Sequence, residues 1–204
     1  MPFNINTFKS QGLVYGGARP SLFNIALSVP AGLGISTTTV SKLSFVCRSS
    51  ELPPSQVGTI EVPYFGRRIK LAGERTFTDW NVTVMNDEDF SVRSMFELWS
   101  DGINRLQSNV RDPSLYNEAY KTALSINQYA KDGELIRQYT MYGAFPTNIS
   151  AIALDWDNQN QIETFTVNFA YDYWLPTVES SSKSAGGINS YEADAVTDGP
   201  LGPN

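Results

Sequence analysis

The feature that most constrains this chain is a change of hydrophobic period inside one short stretch, residues 73–99. Up to Met85 the apolar residues recur every second position. Trp80, Val82 and Val84 share one face, while Asn81, Thr83 and Met85 take the other, as in a strand buried on one side. Beyond Asn86 the period becomes helical: Val92, Met95, Phe96 and Trp99 stand at i, i+3, i+4 and i+7. Asn86 or Asp87 is expected to end the strand and cap the helix, with Asp87, Glu88 and Asp89 in its first turn, where the helix dipole favours negative charge. A strand that runs straight into a one-sided helix has to lay that helix on a sheet. Trp80, Val92, Met95, Phe96 and Trp99 are therefore the candidate residues for packing helix against sheet.

The remaining elements read mainly as strands. Residues 1–19 are polar, end in Gly16-Gly17-Ala18-Arg19, and are expected to form an arm. A half-buried strand is expected over 21–29, a loop over 30–41, and a second strand over 42–49 with Leu43, Phe45 and Cys47 on one face. Cys47 is then a small core residue. Residues 57–71 read as two short strands around Pro63-Tyr64-Phe65-Gly66, a hairpin with an aromatic tip followed by Arg67-Arg68. Exposed aromatics and arginines are favoured at interfaces, whereas an isolated arginine pair on an edge strand is equally well a solvated one. A connection with a helical turn is expected over 100–116, then a hairpin of 121–130 with 134–142 across Lys131-Asp132-Gly133, ended by Pro146. A last hairpin pairs 148–156 with 161–174. In its final strand Glu163, Phe165, Val167, Phe169, Tyr171 and Tyr173 face the packing side. Asp155 and Asp157, which flank Trp156, are read as turn residues and not as a metal or acid–base pair. The domain reading is an arm (1–19), a β-domain (20–174) and a flexible Ser-, Gly- and Pro-rich extension (175–204).

Composition removes several classes of function. The chain has no histidine, which excludes His-based acid–base catalysis, Ser–His triads and His-ligated metals. A single cysteine excludes an internal disulfide. The formal net charge of -6, with no cluster of basic residues, argues against binding nucleic acid through its phosphates. No apolar run reaches membrane-spanning length and no signal pattern opens the chain, so a soluble protein made in the cytosol is expected, with no catalytic residues, metal or cofactor.

Three stretches carry a family resemblance: ARPSLFNIAL, GRRIKLAGERTFTDWNVTVMNDED and GAFPTNISAIALDWDNQNQIETFTVNFAYDYW. In this order, and covering most of residues 18–174, they resemble the tail tube proteins of contractile-tailed, myovirus-type bacteriophages. The resemblance implies a mainly β fold, an antiparallel sandwich or barrel with one flanking helix. It implies six copies in a ring whose inner strands close into one barrel, and rings stacked into a hollow tube inside a contractile sheath. The implied partners are the chain itself, the tail sheath protein, the baseplate tube initiator and the tail terminator, with genomic DNA passing through the lumen without specific binding. The implied place is the virion tail, assembled in the host cytoplasm. The loop over 30–41 and the thirty or so residues beyond Trp174 depart from the family pattern. Within this reading the hairpin of 57–71 is the candidate ring-to-ring contact. Tyr64 and Phe65 are its anchors, and Arg67 and Arg68 pair with carboxylates of a neighbour. Rival readings are the tube or tube initiator of a related phage-like injection or secretion system, and a non-catalytic β binding module.

Overall fold

The computed structural model describes residues 4–13, 15–157 and 159–177. After a short helical arm (α1, Ile5–Thr7, and a π-helical turn, Phe8–Gly12) come β1 (Phe23–Leu27), a 3-10 turn (Ala31–Leu33), α2 (Thr37–Val46), β2 (Cys47–Ser50), β3 (Gln56–Tyr64), β4 (Arg67–Thr76), β5 (Trp80–Met85), α3 (Ser91–Ile103), a 3-10 turn (Pro113–Leu115), β6 (Thr122–Tyr129), β7 (Leu135–Ile149), β8 (Thr164–Ala170) and β9 (Tyr173–Thr177). The expected extension therefore begins within β9, and its residues 178–204 lie outside the described residues.

All strand pairings are antiparallel, and β7 is shared by two halves of the main sheet. Its first part pairs with β6 and β9, and β6 pairs with β1; call this the A half. Its last part pairs with β8, which pairs with β5, which pairs with β2; this is the B half. One core lies between them, with Ile25, Leu124, Ile126 and Met141 from the A half and Val82, Val84, Phe165 and Phe169 from the B half. Trp80, Val92, Met95, Phe96 and Trp99 are all buried in it. The α3 stripe meets β8 edge-on: the Phe96 ring stands 6.4 Å from Phe165 and 5.8 Å from Phe169. Two indole N–H groups satisfy themselves on backbone carbonyls, Trp99 on Tyr120 at 2.9 Å and Trp80 on Glu51.

Several expected elements are corrected. Residues 37–46 are a helix, not a loop and strand. The Ser36 hydroxyl accepts from the Thr38 N–H and caps it. Leu43 faces the core, whereas Phe45 is 81% exposed. Among the described residues the sheet is thus flanked by two multi-turn helices, not one. The acids at 87–89 precede α3 instead of filling its first turn; Phe90 occupies the cap with φ 52°, and the Asp89 carboxylate accepts from the Ser91 N–H at 3.0 Å. Pro146 does not end its strand. It sits beside a register shift that lets β7 continue to Ile149. Residues 151–156 form no strand. The final strand breaks at Tyr171-Asp172, after which β9 crosses into the A half, so Tyr173 turns outward.

Candidate assembly surfaces

The β3–β4 hairpin leaves the body of the fold altogether. It forms its own two-stranded sheet, paired from Gln56↔Thr76 to Tyr64↔Arg67. Apart from the two half-buried glycines, Gly58 and Gly73, its residues are exposed. Those exposed residues include Val57, Ile60, Val62, Ile69 and Leu71. A lone hairpin is marginal in water, so these apolar side chains mark a surface awaiting cover. Its turn places Phe65 at φ 41° and Gly66 at φ 78°, both left-handed, as tight hairpin turns require. Asparagine would suit the first position better than phenylalanine, yet Phe65 is held there 91% exposed, edge-on to Tyr64 at 4.7 Å. Arg68 pairs with Glu61 across the hairpin at 2.9 Å and stays largely exposed. Arg67 has no ion pair among the described residues.

The A half offers a second surface. Ile25, Leu124, Ile126 and Met141 point into the core, so the alternate residues point away from it. The register stacks these into rows: Asn24, Asn127, Gln138 and Thr177; Ala26, Ser125, Thr140 and Leu175; Tyr142 beside Tyr173, with stacked rings 5.0 Å apart. No charged residue stands in these rows. Among the described residues the outer strands, β1 and β9, are each paired on one side only.

The third surface is the end of the B half opposite the hairpin. Lys42 of α2 lies 2.5 Å from Asp87 and 2.6 Å from Asp89. That contact first, and the Ser91 N–H and hydroxyl after it, hold the Asp89 carboxyl down at about 2; Asp87 is lowered and Lys42 raised by the same contact. A carboxylate lowered from its usual 3.8 contributes stability that is present above that value and is lost as pH falls through about 2. The melting temperature of the natural chain is therefore expected to exceed that of Lys42→Met at neutral pH, with the gap closing as the pH is lowered from about 4 to about 2. A gap that persists at the acid end would assign Lys42 to packing. Cys47 is half-buried, and loss of solvent pushes its thiol up to about 12, which suits a core residue and not a nucleophile. Among the described residues no cluster of Asp, Glu or Cys is arranged to hold a metal.

Residues 18–177 match the family model described as phage tail tube protein. The chain belongs to the phage tail tube protein family. It is 39% identical over 158 residues to tail tube protein gp19 of Enterobacteria phage T4, covering 77% of this chain and 90% of that one. It is 23% identical over 168 residues to the tail tube protein of Serratia phage KSP90, covering 82% and 93%. The fold resembles a chain of the sheath–tube complex of an extracellular contractile injection system, with a TM-score of 0.50 and 17% identity over 87% of this chain and 99% of that one. The chain is a tail tube protein, a component of the virion tail. Sequence reasoning found the hairpin tip, whose residues 64, 65, 67 and 68 the fold brings together. It also offered the hairpin from Lys121 to Tyr142, or the two C-terminal strands, as the barrel strands with one alternating face on the lumen; it did not single out the uncharged rows, although the even positions of 136–142 and the odd ones of 123–127 carry only uncharged residues.

Proposed function

We propose that six copies close into a ring through their A halves, and that rings stack into the hollow tube of a contractile tail. The genome then leaves through its lumen. The A half carries this reading. Its four strands alternate in direction, so β1 and β9 run oppositely, and β1 of one copy can lie antiparallel beside β9 of the next without a break in the pattern. Closure removes the open edges, which would otherwise invite uncontrolled pairing. Ring size decides whether DNA fits. Four strands from each of six copies, about 4.8 Å apart and tilted by about 40°, give a barrel roughly 48 Å across between backbones. Side chains leave roughly 38 Å, ample for a duplex of roughly 20 Å, whereas three copies would leave only about 14 Å.

On this reading the rows of Asn, Gln, Ser, Thr and Tyr line the channel. A wall without cations gives phosphates nothing to hold. The sheath, baseplate initiator and terminator then meet the tube after assembly in the host cytoplasm. Phe65 supports a ring-to-ring role for the hairpin, since its exposed left-handed position serves contact better than it serves the turn.

Negative-stain electron microscopy of the purified protein, with a baseplate nucleus added where needed, tests the tube. Hollow tubes of uniform width are expected, and persistent monomers would return a binding module to consideration. The lumen has its own test. Ser125→Lys with Thr140→Lys puts facing cations on the proposed wall. Tubes of unchanged width are expected, with DNA ejection slowed at low salt and restored at high salt. Unchanged ejection kinetics would move this face off the lumen.

A further inference from the structure

We infer that the groove between the N-terminal arm and the free end of the A half receives the Trp156 loop of a second copy. This rests on the tube reading and adds to it a contact distinct from the barrel strands and from the hairpin. The two surfaces lie at opposite ends of β7. The groove takes in Ile136, the second residue of that strand, and the loop follows directly on its end at Ile149.

The arm builds the groove. Gly16 and Gly17 stand at φ 86° and 76°, both left-handed, and turn the arm beside the end of the sheet. The arm is tied down where the Gln128 side-chain amide donates to the Arg19 carbonyl at 3.5 Å. Between arm and sheet lies a space of about 990 Å³, walled by Leu13 and Tyr15 on one side and by Leu22, Tyr129 and Ile136 on the other. That is the size of a large ligand pocket. The arm does not fill it, since Leu13 and Tyr15 are themselves exposed. Arg19 and Lys131 stand exposed along it, beside Asp132.

The Trp156 loop has the matching form. The Asp157 N–H donates to the Asp155 carboxylate at 3.0 Å, and the Gln159 N–H donates to the Asp157 carbonyl at 3.1 Å. This turn holds Trp156 at its apex, 98% exposed, with Leu154 and Ile162 largely exposed as well. The stretch from Ser150 to Glu163 carries Asp155, Asp157 and Glu163 and no lysine or arginine. An apolar knob among carboxylates therefore answers an apolar groove that carries two cations. A tryptophan seated in a pocket is a typical anchor of a protein contact.

The occupant comes from another copy. Trp156 is almost fully exposed in its own chain, so a loop does not sit in its own groove. Knob and groove are different surfaces, so the contact is heterologous. Each copy gives one knob and takes one, and the contact passes from copy to copy through the assembly.

Charge reversal tests the pairing. Asp155→Lys with Asp157→Lys, and separately Arg19→Glu with Lys131→Glu, are each expected to leave tubes about tenfold shorter. All four residues are exposed, so these variants are expected to fold. The combined fourfold variant is expected to recover length, because the swapped charges again face each other. Contact itself is read from Ala130→Cys with Leu154→Cys in a Cys47→Ser background, which keeps the indole in place. Assembled tubes treated with a bismaleimide linker are expected to run as a ladder of linked copies on a denaturing gel, and neither single cysteine is expected to give one. Tubes of the double-cysteine chain that give no ladder would overturn the contact and leave the tube standing. Normal length in either charge-reversed pair, or no recovery in the fourfold variant, would do the same. Failure of the natural chain to assemble at all would overturn the tube reading and this contact with it.

Discussion

Gly143→Val is expected to leave little folded protein. Gly143 marks the point where β7 changes partners: up to Tyr142 it pairs with β9, and from Phe145 with β8. The turn between the two halves is made at φ 68°, a conformation that β-branched residues scarcely adopt. Space is lacking as well. A Cβ there would meet the carboxyl carbon of Asp172 at 2.6 Å and overlap one of its oxygens. Asp172 has little freedom to withdraw, because its N–H donates to the Tyr142 carbonyl at 2.9 Å and its carboxylate accepts from Lys121 at 3.1 Å. Backbone strain of about 1–3 kcal/mol and overpacking of about 1–3 kcal/mol together reach the lower end of the roughly 5–15 kcal/mol that holds an ordinary domain folded. Urea unfolding of Gly143→Ala, the milder change, gives the measurable version. A loss below about 1 kcal/mol would show that the bend tolerates a side chain. Adding Asp172→Ala should recover the steric part and leave the backbone part.

What could be read in the sequence followed from local period, and what could not depended on partners far along the chain. Trp80, Val82 and Val84, the α3 stripe and the 121–142 hairpin were legible because each repeats its own pattern over several residues. Residues 37–46 were not. Three consecutive threonines form helix poorly, and Leu43, Phe45 and Cys47 mimic a strand's alternation. In the fold the packed residues are Val40, Leu43 and Val46, three apart, and burial against the sheet overrides propensity. The cap at Ser36 was the available signal. Pro146 misled for a related reason: a proline ends a strand unless a register shift accommodates it, and that shift depends on β8, which lies more than fifteen residues downstream.

The assembly surfaces divide in the same way. Tyr64, Phe65, Arg67 and Arg68 are neighbours in sequence and remain neighbours at the hairpin tip, so they were visible as a group. The intrachain partner of Arg68 was not, because Glu61 is reached only through the strand register. The exposed Trp156 was absorbed into a supposed strand by the alternation around it. The uncharged face of the A half needs four strands to come together before it exists as a surface, and β9, one of the four, had been read as the end of a longer strand.

Phe169→Ala is expected to cost about 3–5 kcal/mol, toward the upper end of that range. Phe169 is the centre of the aromatic cluster that joins β5, β8 and α3. Its ring lies 5.9 Å from Trp80, 5.8 Å from Phe96 and 6.2 Å from Trp99, and it is almost wholly buried. Truncation leaves a cavity, and its cost depends on how far the walls move in to fill it. Here two walls are tethered. The Trp80 indole is held by the Glu51 carbonyl and the Trp99 indole by the Tyr120 carbonyl, so neither ring can slide inward without giving up a hydrogen bond. Denaturant unfolding of the monomer, followed by tryptophan fluorescence, measures the loss. A value below about 1.5 kcal/mol would mean that the cluster collapses and the tethers are slack. In tubes both the natural chain and the variant should gain stability, because contacts with neighbouring copies add to the folded state alone, while the difference between them stays the same. Phe169 belongs to the core and not to the outward rows of the A half, so tube width should be unchanged. A narrower or wider tube would show that the B half sets the curvature of the ring.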